Sequence, residues 1–301
     1  MKMKKTRLFL GVCCMAALFA CNKSEPVSEG PHPMTITLSR GDAGTKTAFA
    51  VQGMNLDRTW KDGDAISAVY EYPTGSGTFY NDKFELTAGG GTTTGTFTCA
   101  TSHIPTDETD FPVRITYPYS SSWNGTTGEL TNSFSYQGDG KLDDLGKYEI
   151  LASAKYGDKY FSITSGVWQQ TELTAQSVIL HIPAGTQFLT GASGYDYFDT
   201  VNISSMPSGN VYSGLSFKNG IITYVDGSPV SLANIALNDG KTVYDVYIAI
   251  MCAVDLTATD LVFSCILGSN SNTYEFTVNR RAGLSAGQLY HMDSAFSPMP
   301  K

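Results

Sequence analysis

Hydrophobic and polar residues alternate in short runs along most of the chain. Phe84 and Leu86, Phe97 and Cys99, Ile222 and Tyr224, and Tyr274, Phe276 and Val278 each stand on one face, with polar residues between them. A period of two is that of a strand with one buried face. Longer apolar runs, SVILHI (177–182) and VYDVYIAIMCAV (243–254), fit strands buried on both faces. Turn-forming residues punctuate the runs: Asp62-Gly63, Gly89-Gly90-Gly91, Asn124-Gly125, Asp226-Gly227 and Asp239-Gly240. Thr, Tyr and Phe, which fit pleated surfaces, are abundant. No segment of a dozen or more residues holds a 3.6-residue period with caps at its ends. The pattern predicts an all-β protein of antiparallel sheets packed as sandwiches.

The N-terminus departs from this pattern. Lys2, Lys4, Lys5 and Arg7 precede an apolar stretch from Leu8 to Ala20, which is short for a membrane-spanning helix. Residues 1–20 are expected to be a secretory signal peptide. The stretch ends in Leu18-Phe19-Ala20-Cys21, which reads as a bacterial lipobox with an atypical Phe19, so Cys21 is the expected lipidation site. Residues 21–33 are polar, acidic and proline-bearing, as in a flexible tether. The folded body is expected to divide near residue 168, into an N-terminal sandwich (34–168) and a C-terminal one (169–301). Residues 120–147, polar and glycine-rich, read as a long loop inside the first. Without the signal, 16 basic residues stand against 28 acidic ones, a formal charge of −12. That balance argues against nucleic acid as a partner.

Three cysteines, Cys99, Cys252 and Cys265, lie beyond Cys21, an odd number that is no disulfide framework. If 246–252 and 261–267 form a hairpin, the register that opposes Val254 to Phe263 also opposes Cys252 to Cys265. That register is one in which a disulfide or a plain apolar contact would serve.

Candidate chemistry is sparse. The four histidines, at 32, 103, 181 and 291, have no metal-ligand spacing in sequence, and no metal or other cofactor is expected. His181 and His291 fall within strand patterns, as hydrogen-bonded structural residues do. No nucleophile elbow or P-loop occurs. GDGKLDDLG (138–146) lacks the ligand alternation and final Glu of an EF-hand loop. In TWKDGDAISAVY (59–70), Asp62 and Asp64 flank Gly63. A tight turn aims both at solvent, where neither carboxyl makes a good general acid. The stretch reads as a turn with Trp60 packed before it and Ile66 opening the next strand. No catalytic residue is expected, and an enzyme is not.

The order of motifs carries a resemblance. The lipobox is followed by KTAF (46–49), TWKDGDAISAVY, NDKFELTAGGGTTTGTFTC (81–99) and ITYPY (115–119). YEILAS (148–153), SVILHI and AGLSAGQLYHMD (282–293) complete the series. It resembles the fimbrillin-like, or minor-fimbrium-subunit-like, lipoproteins of the Bacteroidales, over nearly the whole mature chain. The resemblance implies two transthyretin-like β-sandwiches in tandem, with Trp60, Gly63 and Asp64 as a structural motif. It also implies an outer-membrane, surface-exposed lipoprotein that assembles into type V pili with other fimbrial subunits. In such pili a trypsin-like protease cuts after an arginine, an early strand leaves, and a neighbour's strand fills the groove. Arg40 is the position here that matches: it follows MTITLS, and a cut there releases residues 21–40.

A second reading is a stand-alone glycan-binding surface lipoprotein. Tyr117, Tyr119 and Trp123, or Tyr195, Tyr197 and Phe198, would form its platform. Asp199-Thr200-Val201 and Asp293-Ser294-Ala295 fit a short O-glycosylation pattern of the same bacteria, which three residues meet easily by chance.

Overall fold

The computed structural model describes residues 30–40, 48–52, 55–108, 111–153, 161–164, 167–169, 172–182, 198–206, 211–218, 221–225, 230–235, 245–252, 260–267, 273–278, 284, 286–291 and 299–300. The chain is all β as expected; among the described residues the only helix is the four-residue turn Leu142–Leu145. A nine-stranded sheet forms the N-terminal body, in the order Leu151–Ser153, Glu172–Ala175, His32–Arg40, Thr94–Ser102, Phe79–Ala88, Ala65–Glu71, Phe111–Tyr117, Phe161–Thr164, Val167–Trp168. Leu151–Ser153 also pairs with Phe111–Tyr117, so the sheet closes on itself around a core.

That core follows from the period of two. Ile36 and Leu38 of the first strand, Ile66 and Ala68, Phe84, Phe97, and Val113 and Ile115 all turn inward. Each large apolar side chain buried this way contributes roughly 1.5–3 kcal/mol. The sheet runs past the expected division at residue 168, because Glu172–Ala175 lies between the first strand and Leu151–Ser153.

The C-terminal half contributes two further sheets. One runs Val211–Tyr212, Val246–Cys252, Val178–Ile182, Leu289–His291. The other runs Val230–Ile235, Phe198–Met206, Asp260–Leu267, Thr273–Val278, Met299–Pro300. Both long apolar runs are strands, and Val178–Ile182 is buried along its length, as a strand covered on two faces should be.

Two expectations are corrected here. Val246–Cys252 and Asp260–Leu267 are strands but not a hairpin. The first pairs with Val178–Ile182 and Val211–Tyr212, the second with Phe198–Met206 and Thr273–Val278. Each is an interior strand with both edges taken, so neither is left to pair with the other. The backbone of Cys252 stands opposite Val211, and that of Cys265 opposite Val201 and Tyr274. The register that would join Cys252 to Cys265 is therefore absent.

Residues 120–147, read as a loop, hold Trp123–Asn124 and Glu129–Ser133, and the latter pairs with Gly214–Lys218 of the C-terminal half. Leu130 packs there with Val69, Ile150, Leu215, Phe217 and Met251. A five-residue strand with only Leu130 and Asn132 turned inward is too short to announce itself among glycines and polar residues.

Candidate functional site: the first strand and its buried arginine

The first strand, His32–Arg40, is set between Thr94–Ser102, antiparallel, and Glu172–Ala175, parallel. Met34, Ile36, Leu38 and Arg40 face inward, and the residues between them face outward. Pairing with Thr94–Ser102 runs nearly the whole strand, from Ser39 opposite Thr94 to His32 opposite Ser102. Pairing with Glu172–Ala175 is limited to Ser39 and Arg40.

Arg40 ends the strand inside the protein, with 7% of its surface exposed. Its guanidinium carbon lies 3.6 Å from the centre of the Trp60 ring and 5.2 Å from that of Tyr117. Nη1 is 3.6 Å from Oε2 of Glu149, whose side chain is also fully buried. A cation on an indole face with a carboxylate nearby has both a π face and a counter-charge to offset its burial. Burial raises the Tyr117 hydroxyl well above its ordinary pKa, and the Asp64 carboxylate adds to the shift.

The Trp60 turn builds the floor of this site. The Lys61 amide donates to Asp64 Oδ2 at 2.7 Å and the Asp64 amide to the Lys61 carbonyl at 2.9 Å. Gly63 has φ 90°, which side-chain-bearing residues adopt only at a cost of about 1–2 kcal/mol. The Tyr117 hydroxyl lies 3.0 Å from Asp64 Oδ1 and 2.9 Å from the Gly146 carbonyl oxygen. Trp60 is fully buried, edge-on to Phe97 (4.7 Å) and to Tyr117 (5.5 Å). Gly95 is required beneath it, since a Cβ there would stand 2.7 Å from Trp60 Cδ1. Asp64 thus holds a turn and orients a tyrosine, and Asp62 is exposed. The two carboxylates do not face a common cleft.

The same fold is found in a solved structure. A "putative cell adhesion protein" from Bacteroides ovatus aligns with 91% of this chain and 97% of its own, at TM-score 0.51 and 17% identity. The two chains share a fold. A protein of the same description from Bacteroides uniformis aligns with 89% of this chain and 97% of its own, at TM-score 0.46 and 16% identity. No family model matches the chain, and no curated protein matches it.

The structure brings together Arg40, Trp60 and Asp64 of the residues singled out in sequence. It places Arg40, the candidate cleavage position, in the core. Cys21 lies outside the described residues. The proposed aromatic platform at 117–123 does not form, because Tyr117 is core while Trp123 is 37% exposed. Tyr195 and Tyr197 lie outside the described residues. GDGKLDDLG becomes a helical turn whose acids meet lysines, Lys141 with Asp139 and Lys147 with Asp144. Glu149 was missed; an acid beside the apolar ILA of YEILAS was the available sign of a buried counter-charge.

Proposed function

We propose that this chain is a lipid-anchored surface protein that serves as a structural or accessory subunit of a fimbrium in adhesion, and that it assembles by β-strand addition. It has no enzymatic role in this reading. The carrying observation is the seat of the first strand. Its alternate side chains fill the core, and it has an extended ladder on one side and two residues of pairing on the other. Removal of such a strand leaves one long edge and a row of apolar pockets. A strand of matching alternation from a neighbouring subunit restores both. Lipidation at Cys21, an outer-membrane location and a strand-donating partner complete the reading.

Arg40 bears on the route. A trypsin-like protease takes the arginine side chain into its own pocket, so a cut after Arg40 requires the guanidinium to leave Trp60 and Glu149. Cleavage is therefore expected to follow the opening of this strand end, not simple surface access. The test uses the protein from Asn22 onward, treated with an arginine-specific protease and followed by mass spectrometry and size-exclusion chromatography. The expected result is a cut after Arg40, loss of the segment before it, and ladders that resist detergent. A chain that stays monomeric after losing its first strand, or that is degraded, overturns assembly by strand addition.

A further inference from the structure

Two histidines 110 residues apart in sequence meet in the C-terminal sheet. His181 lies on Val178–Ile182, His291 lies on the parallel neighbour Leu289–His291, and the register sets them side by side. Their Nδ1 atoms are 2.5 Å apart. The other nitrogen of His181, Nε2, lies 3.4 Å from Oδ1 of Asp245. Tyr247 stacks on the His181 ring at 4.6 Å and 13°. His181 is 7% exposed, and His291 is partly exposed on the last strand of its sheet.

We propose that His181 and His291 form a two-histidine site for a divalent transition ion of the zinc class. The Asp245 carboxylate, 3.4 Å away, favours the His181 tautomer with its proton on Nε2, which leaves the Nδ1 lone pair facing His291. This is the carboxylate–histidine arrangement that orients imidazole ligands around metals. The Tyr247 ring fixes the plane of His181, and His291 is the ligand free to adjust. A tetrahedral zinc ion with nitrogens at about 2.0–2.1 Å needs them about 3.3–3.4 Å apart, which asks the His291 ring to move outward by roughly 1 Å. Among the described residues no group of three or more His, Cys, Asp or Glu gathers to hold a metal. The described residues therefore supply two ligands, and solvent or a ligand from elsewhere supplies the rest. An ion there would tie the edge strand Leu289–His291 to the strand beside it.

The competing arrangement is a plain hydrogen bond between the two rings, and binding measurements separate the two. Titration of the protein from Asn22 onward with zinc chloride, by calorimetry, is expected to show one ion per chain at micromolar concentrations. H291A should weaken binding at least tenfold, and D245N should weaken it severalfold without changing the stoichiometry. Zinc should raise Tm by a few degrees in the native chain and not in H291A. Nitrogen NMR of the rings guards against a variant that fails to fold: the Nδ1 signals of both histidines in the native protein should move on adding zinc. No saturable binding below about 1 mM, an affinity unchanged in H291A, or Nδ1 signals that stay in place would each overturn the site.

Discussion

A buried arginine needs a counter-charge more than a surface one does, and Glu149 supplies it. Replacing Glu149 with Gln keeps the shape and removes the charge, so Arg40 loses its buried counter-charge. Removing one partner of a buried pair costs about 3 kcal/mol or more. The cost is relieved when the strand end opens, so E149Q should speed proteolysis after Arg40 on the order of 100-fold. An unchanged rate would mean that Glu149 does not hold Arg40 in place. Tyr117 gives a second prediction in the same cluster. Its folded pKa is raised by burial and then by Asp64. The stabilisation from its neutral hydroxyl is therefore complete below the unfolded pKa of about 10 and is lost as pH rises from there toward the folded value. Over that window the unfolded chain has released the proton and the folded chain has kept it. Urea unfolding between pH 9 and 11 should show stability falling, with this tyrosine contributing up to about 1.4 kcal/mol per pH unit. Y117F should flatten that part of the slope.

At the scale of elements, the least obvious contact is made by residues outside regular structure. The Gln137 side chain accepts from the Ala249 amide at 2.9 Å and donates to the Ala249 carbonyl at 2.6 Å. Nearby, the Tyr247 amide donates to the Gly140 carbonyl at 2.7 Å. Together they cover the edge of Val246–Cys252 that Val211–Tyr212 leaves bare. One primary amide thus stands in for a missing strand residue. Gln137→Ala leaves a buried peptide group unpaired, at a cost of about 1–3 kcal/mol. Hydrogen exchange at Ala249 should quicken in Q137A by more than exchange in His32–Arg40 does. Nothing in the sequence announced this role, because a glutamine in a polar glycine-rich stretch looks like any solvated loop residue. Alternation, by contrast, carries its own signal, and strands such as Thr94–Ser102 and Thr273–Val278 were legible for that reason. Partners were not. The apolar runs at 246–252 and 261–267 advertise burial, but burial on both faces fits a hairpin and two separate sheets equally well. The Trp60 turn was legible because Trp60, Gly63 and Asp64 lie within five consecutive residues. The burial of Arg40 was not legible because its partners, Trp60, Tyr117 and Glu149, are distant in sequence.

At the scale of the molecule, the two halves share structure instead of touching across a seam. Glu129–Ser133, from the N-terminal half, is a central strand of a sheet whose other members include Gly214–Lys218 and Ile221–Tyr224. Leu142, Leu145 and Tyr148 pack with Ile179, Tyr247, Ala249 and Leu289. A cut at residue 168 would therefore damage both sides. The fragment before it loses Glu172–Ala175 from beside the first strand, and the fragment after it loses the partner of Gly214–Lys218. Cooperative units follow shared cores and shared ladders, so the whole chain should unfold in one calorimetric transition. Fragments 34–168 and 169–301 made separately should each lack native near-ultraviolet dichroism. Two transitions in the intact chain, or a C-terminal fragment that folds alone, would mean that the shared sheet contributes little. The outcome also constrains assembly. If the halves unfold as one, loss of the first strand weakens the C-terminal sheets too, and a donated strand restores the whole subunit instead of only the groove it fills.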